Sequence, residues 1–172
     1  MRHQRDDQKG TVDFFARFSS SEKFEEVFKE GMGLVEETAN YLDGEGREDS
    51  KLLDRPAAIA YATESMRLTT RLMQLASWLL LQRAITAGEV ARDDATREKS
   101  RVNLTDIGAG NPIPGAEFLP HGLHELVVRS LRLRERIMKF DIMIVAALSL
   151  EPANENPVAS QLDQLARAFA MR

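Results

Sequence analysis

Between Tyr61 and Gly88 the chain reads YATESMRLTTRLMQLASWLLLQRAITAG, without proline and with its one glycine at the end. Apolar residues recur there at helical spacing. Leu68, Leu72, Leu75 and Leu79 form one row, and Met66, Met73 and Leu80 form a second row beside it. Two rows exceed what one helix partner can cover, so the pattern predicts a helix at the centre of a bundle, touching at least two others. Asp54 is placed to cap it and Pro56 is tolerated in a first turn, so the helix should run from about Arg55 to Ala87. At 1.5 Å per residue it would be roughly 50 Å long. Trp78 lies between the rows, at an expected helix contact. Glu64, Arg67 and Arg71 fall on a polar side, where spacings of three and four allow ordinary pairing.

The flanking pattern supplies two more helices. Ser19 to Ser21 before Glu22 is an N-terminal signal, and a helix is expected from about Ser21 to Leu42. Its buried face would hold Phe24, Val27, Phe28, Gly31, Leu34, Val35, Thr38, Tyr41 and Leu42. Gly31 and Gly33 each cost about 1 kcal/mol against alanine in a helix, and either a close helix approach or a bend would explain them. The Asp43-Gly44-Glu45-Gly46 run ends this helix, and a charged connection fills residues 43–54. A third helix begins near Pro120. Its Leu123, Leu126, Ser130, Leu133, Ile137, Phe140, Ile144 and Ala147 alternate steps of three and four, a heptad seam suited to near-parallel packing. It should fade near Leu148.

Between the second and third helices, Glu89 to Arg101 suits a short solvated helix, and the Gly- and Pro-rich residues 103–119 suit a connector across the end of the bundle. The expectation is an all-α, elongated, antiparallel three-helix bundle with a short extra helix between helices two and three. Residues 1–13 read as a mobile leader, with Phe14, Phe15 and Phe18 docking on the first helix. Residues 14–148 form the bundle. After the EPANENP linker, residues 149–172 read as a flexible tail carrying Leu162, Leu165, Ala166 and Phe169 at amphipathic spacing.

Composition narrows the function classes. The 172 residues carry a net charge of −4, which argues against general affinity for nucleic acid or anionic membrane. There are no cysteines, so disulfides, thiolate metal sites and a cysteine nucleophile are excluded. This composition suits a reducing cytoplasm. The polar N-terminus is not a secretory signal, and the most apolar run, Leu75 to Leu81, is too short to span a bilayer.

Candidate chemistry is thin. His121 and His124 stand three apart beside Glu125, but no HExxH arrangement or second ligand cluster accompanies them. GAGNPIPG (108–115) lacks both the third glycine of a dinucleotide loop and the GK[ST] of a P-loop. No catalytic residue, metal or cofactor is expected. Arg129, Arg132, Arg134, Arg136 and Lys139 make a dense basic run on the third helix. A solvated bundle face is the favoured reading. A surface for an acidic protein partner is another, and a DNA-recognition helix is the alternative from a different class.

Three blocks carry a resemblance: YATESMRLTTRLMQLASWLLLQRAITAGE (61–89), REKSRV (97–102) and SLRLRERIMKFD (130–141), with YLDGEGR (41–47) fitting the same pattern. Together they resemble the alphaproteobacterial RcdA family, regulators of CtrA degradation, over about residues 20–145. The resemblance implies a dimeric three-helix bundle with a flexible tail and no enzyme activity. It implies an adaptor that tethers cargo to the ClpXP protease after a CpdR-like response regulator has primed the ClpX unfoldase. A PopA-like second adaptor would deliver a transcription factor as cargo, and recruitment to a cell pole is implied by the family alone. No catalytic residue transfers. The protein-binding candidates are Leu162, Leu165 and Phe169 of the tail and Arg129, Arg132 and Arg136 of the third helix. Trp78 and Leu81 offer apolar surface for a homodimer.

Overall fold

Four helices carry the described chain: α1 (Glu22–Asp43), α2 (Glu45–Lys51), α3 (Arg55–Thr86) and α4 (His121–Ser149), with one 3₁₀ turn at Ala116–Phe118 before α4. The computed structural model describes residues 22–90, 102, 104 and 113–149. Among them all regular structure is helical, so the all-α bundle expected from the pattern is what forms. The leader, the tail and the short helix expected near 89–101 fall largely or wholly outside the described residues.

Helix α1 carries Glu22 and Glu25 in its first turn, where the helix dipole favours negative charge. It buries Phe24, Val27, Gly31, Leu34 and Thr38, with Phe28, Val35, Tyr41 and Leu42 packed at the margins. The two glycines separate cleanly. A Cβ on Gly31 would lie 2.5 Å from Leu79 Cδ1, whereas one on Gly33 would meet open space. Gly31 therefore lets α1 pack closely on Leu79 of α3.

The charged connection after α1 is a correction. Gly44 interrupts the helix for one residue, and the chain then turns helical again as α2 rather than running irregularly to Asp54. Glu45 and Glu48 in the first turn and Lys51 in the last suit the helix dipole. Gly46 lets this helix lie against two rings, since a Cβ there would sit 2.7 Å from the Tyr61 hydroxyl and press into Tyr41.

Helix α3 starts as expected. Asp54 Oδ1 accepts the Ala57 N–H at 3.0 Å, with Pro56 in the first turn. It ends near Gly88, whose φ of 74° suits a glycine helix stop. Leu68, Leu72, Leu75 and Leu79 are buried. The second row is not: Met66, Met73 and Leu80 are exposed. Helix α4 packs instead on the flank of α3 that carries Arg71, Trp78 and Gln82, all buried. Arg71 thus leaves the polar side it was expected to share with Glu64 and Arg67, which do pair at 2.9 Å.

The α4 seam holds. Leu123, Leu126, Ser130, Leu133, Ile137 and Ile144 are buried, and Phe140 packs at the edge. Its one polar member is used: Arg71 Nη1 donates to Ser130 Oγ at 2.8 Å. About two turns further along α3 and three along α4, Trp78 Nε1 donates to Asp141 Oδ1 at 2.9 Å.

These pairs fix the helix directions. Glu37 meets Arg129 and Glu30 meets Arg136, so α1 and α4 are antiparallel. Arg71 meets Ser130 and Trp78 meets Asp141, so α3 and α4 run parallel, against the antiparallel expectation. The cause is the connection. Its described residues sit beside the middle of α4 and at the start of α3. Arg134 Nε donates to the Leu104 carbonyl at 2.9 Å, midway along α4. Gly115 then tucks against Pro56 at the start of α3, where a Cβ would lie 2.7 Å from the Pro56 carbonyl carbon.

Candidate protein-interaction surfaces

The outer face of α3 is an apolar surface open to solvent. Ile59, Met66, Met73 and Leu80 recur every seven residues and are 58%, 67%, 66% and 53% exposed. The other exposed positions between them are Ala62, Thr69 and Ser77, so no exposed charge occurs from Ile59 to Leu80. The hydroxyls there do not need water. Thr69 Oγ1 donates to the Ser65 carbonyl at 2.7 Å, and Ser77 Oγ donates to the Met73 carbonyl at 2.8 Å. Thr63 and Thr70, beside the stripe, bond back to Ile59 and Met66 in the same way. Their donor hydrogens are held within the helix, which lowers the cost of covering the stripe. Arg55 and Arg83 bracket it. Its length, from Ile59 to Leu80, is about 30 Å at the helical rise. A stripe of this size on a helix is the geometry of a helix-pairing seam.

The arginines of α4 are placed differently. Arg129 makes a two-pronged contact with Glu37, at 2.6 Å and 2.7 Å, and Arg136 meets Glu30. Both pairs bridge α4 to α1 and remain about half exposed, so each contributes at most about 1 kcal/mol. The side-chain hydrogen bond from Arg129 holds the Glu37 carboxyl below its usual range. Arg134 is tied to the Leu104 carbonyl. Arg132 is exposed. The basic run is therefore partly neutralised by the acidic face of α1.

At the far end of the bundle, a cleft of about 390 Å³ lies between α1, α2 and α4, lined by Glu37, Tyr41, Glu45, Gly122 and Glu125. Tyr41 fills the corner. Its ring is so close to Gly122 that a Cβ there would lie 2.6 Å from it, and burial pushes its phenol up to about 12. His121 and His124 are exposed, with His121 4.0 Å from Glu125. Among the described residues no three metal-ligating side chains converge. No described helix is long and apolar enough to cross a membrane.

Of the residues singled out in the sequence, Arg129, Arg132 and Arg136 lie along one side of α4, while Leu162, Leu165 and Phe169 fall outside the described residues. Trp78 is 2% exposed and Leu81 half-buried, so neither supplies the spare apolar surface expected of them. That surface belongs to Ile59 and the methionine row. The seven-residue spacing that marks it was visible, but spacing alone does not say which row turns outward.

A family model described as a protein of unknown function (DUF1465) matches residues 15–169. The crystal structure of RcdA from Caulobacter crescentus CB15 is similar, with 50% sequence identity and a TM-score of 0.59, covering 75% of this chain and 96% of RcdA. No curated protein matches the sequence.

Proposed function

Because the chain belongs to the DUF1465 family and is RcdA-like, we propose that it works in regulated proteolysis as a non-enzymatic adaptor. The observation that carries this reading is the 50% identity to RcdA over 96% of that chain. In the finer form of the proposal, the bundle joins ClpX primed by a CpdR-like regulator. It then tethers a PopA-like adaptor and transcription-factor cargo, linking their degradation to the cell cycle. A tether needs no chemistry of its own: a flexible connection presents cargo at an effective concentration of order mM.

The outer face of α3 supports a homodimer. A second copy laid on it would bury Ile59, Met66, Met73 and Leu80 without stranding a charge. In an antiparallel pair, Met66 would face Met73 and Ile59 would face Leu80. This leaves α4 for other partners. Arg132, and Arg129 and Arg136 beyond their pairing with α1, form the candidate surface for an acidic protein. Leu162, Leu165 and Phe169 are the candidate anchors of the tether.

The test is cargo degradation by purified ClpXP with the primed regulator, using full-length protein, protein ending at Asn156, and none. Acceleration by the full-length protein alone supports an adaptor whose C-terminal segment is functional. An unchanged rate across several cargos overturns the adaptor reading.

A further inference from the structure

Helix α2 is held to the bundle by very little. Gly46 is its one buried residue, and Leu52 at its C-terminal cap is 86% exposed. Its side-chain contacts are local. Lys51 pairs with Glu48 at 2.7 Å, Arg47 reaches Asp43 at 3.8 Å, and Ser50 Oγ donates to the Arg47 carbonyl at 2.8 Å. None of these contacts reaches α3 or α4. Seven residues are too few for a helix to hold itself in water, so packing on α1 and the start of α3 keeps α2 helical.

The surface under α2 is built differently. A Cβ on Gly46 would press into the Tyr41 ring and lie 2.7 Å from the Tyr61 hydroxyl. Tyr61 turns its hydroxyl toward Ser65, and Tyr41 turns its own toward the Leu123 backbone. Yet Tyr41 Oη, Tyr61 Oη and Ser65 Oγ are buried and none completes a hydrogen bond. Buried hydroxyls without partners cost free energy that hydration would return. The Tyr41 ring is also fixed from another side by Gly122 of α4, where a Cβ would lie 2.6 Å from it. The floor under α2 therefore belongs to the bundle and does not need α2 to hold it.

We infer that α2 is a hinged cover, which lifts from Tyr41 and Tyr61 while α1, α3 and α4 stay folded. Its hinges are Gly44 and residues 52–54. Gly44 leaves the helical region with φ −107° and ψ −112°, and Asp54 is extended with ψ 168°. The movement acts on a cavity. Glu45 of α2 and Tyr41 of α1 both line the cleft of about 390 Å³. Lifting α2 carries Glu45 away and extends the cleft to Tyr61 and Ser65. The cleft thus has a shallow closed form and a deeper open form lined by two phenol rings. None of this rests on the adaptor reading.

The test is hydrogen exchange of the full-length protein, read separately over 45–51 and 68–79. Residues 45–51 should exchange at least about a hundredfold faster than 68–79, the core of α3. Equal protection overturns the inference. Two variants separate lifting from simple fraying. Gly46→Ala raises helix propensity, so a helix that merely frays would exchange more slowly. A cover should instead exchange about tenfold faster or more, because the new methyl wedges it off the rings. Tyr61→Phe removes one hydroxyl without a partner and should slow exchange over 45–51 about threefold or more. Slower exchange in Gly46→Ala, or no change with Tyr61→Phe, overturns the inference. So does an acceleration in Gly46→Ala that spreads equally to 68–79, since α2 would then open only with the whole bundle.

Discussion

Helix α3 has two faces with the same period and opposite fates. The inner face places Leu68, Leu72, Leu75 and Leu79 in the core, and the outer face leaves Ile59, Met66, Met73 and Leu80 in solvent. Between them lies a third flank, on which α4 packs through the polar groups of Arg71 and Trp78. Polar side chains are thus turned inward while methionines are turned outward. Burial energy alone would sort them the other way. The inner polar groups are specific: Arg71 to Ser130 and Trp78 to Asp141 set the register of two parallel helices. Methionine on the outer face is flexible and polarizable, properties suited to a surface that other helices must fit.

The difference can be broken from either side. Leu75→Ala, on the inner face, should have the largest effect, lowering unfolding free energy by about 3 kcal/mol in urea titration, through lost burial and a residual cavity. Ser130→Ala should cost about 2 kcal/mol in the same measurement, because it strips an acceptor from a buried guanidinium. Met73→Asp, on the outer face, should shift unfolding of the monomer by only about 0.5 kcal/mol, as exposed substitutions do. The same change should abolish self-association in sedimentation velocity. A full-sized dimer in Met73→Asp would remove the seam from the interface.

The smallest effect belongs to the arginine face. Arg129→Ala should cost at most about 1 kcal/mol, and less at high salt. Its pH dependence has a definite sign. Pairing with Arg129 depresses the Glu37 pKa in the folded state, so its stabilisation is complete above the usual value of 4.5 and lost as pH falls through the folded value. The difference in stability between wild type and Arg129→Ala should therefore shrink below about pH 4.5. A difference that grows with acidity would show that this pair is not its source.

Much of this was legible in the chain. The α4 heptads from Leu123 to Ile144, the Asp54 cap and the leucine row of α3 follow from spacing and local hydrogen bonding, which sequence encodes directly. Gly31 was legible as one of two options, and only the facing Leu79 decides between them. The outward turn of the methionine row was not legible, because periodicity gives the angle between rows and not the identity of the neighbour. Nor was the parallel sense of α3 and α4, which depends on the path of the connection through Leu104 and Gly115. Helix α2 was missed because Gly44 and Gly46 read as a stop, and the rings that reward a glycine at 46 come from Tyr41 and Tyr61. Of the surfaces, the α4 arginines were found from charge alone. Their engagement by Glu30 and Glu37 needed the tertiary arrangement.

The parallel sense of α3 and α4 also bears on the order in which the molecule assembles. Helices α1 and α3 are joined by a short connection and meet as a local hairpin, whereas α4 is separated from α3 by the longer stretch 87–120 and docks after it has been made. Closing the longer loop adds only about 1 kcal/mol of entropy, so the finished structure bears little penalty. The cost falls on time instead, since non-local contacts form late. During synthesis the α1–α3 hairpin would emerge with both its Trp78 flank and its methionine row uncovered. The chain would then have two apolar faces open to chance encounters until α4 arrives to close one of them.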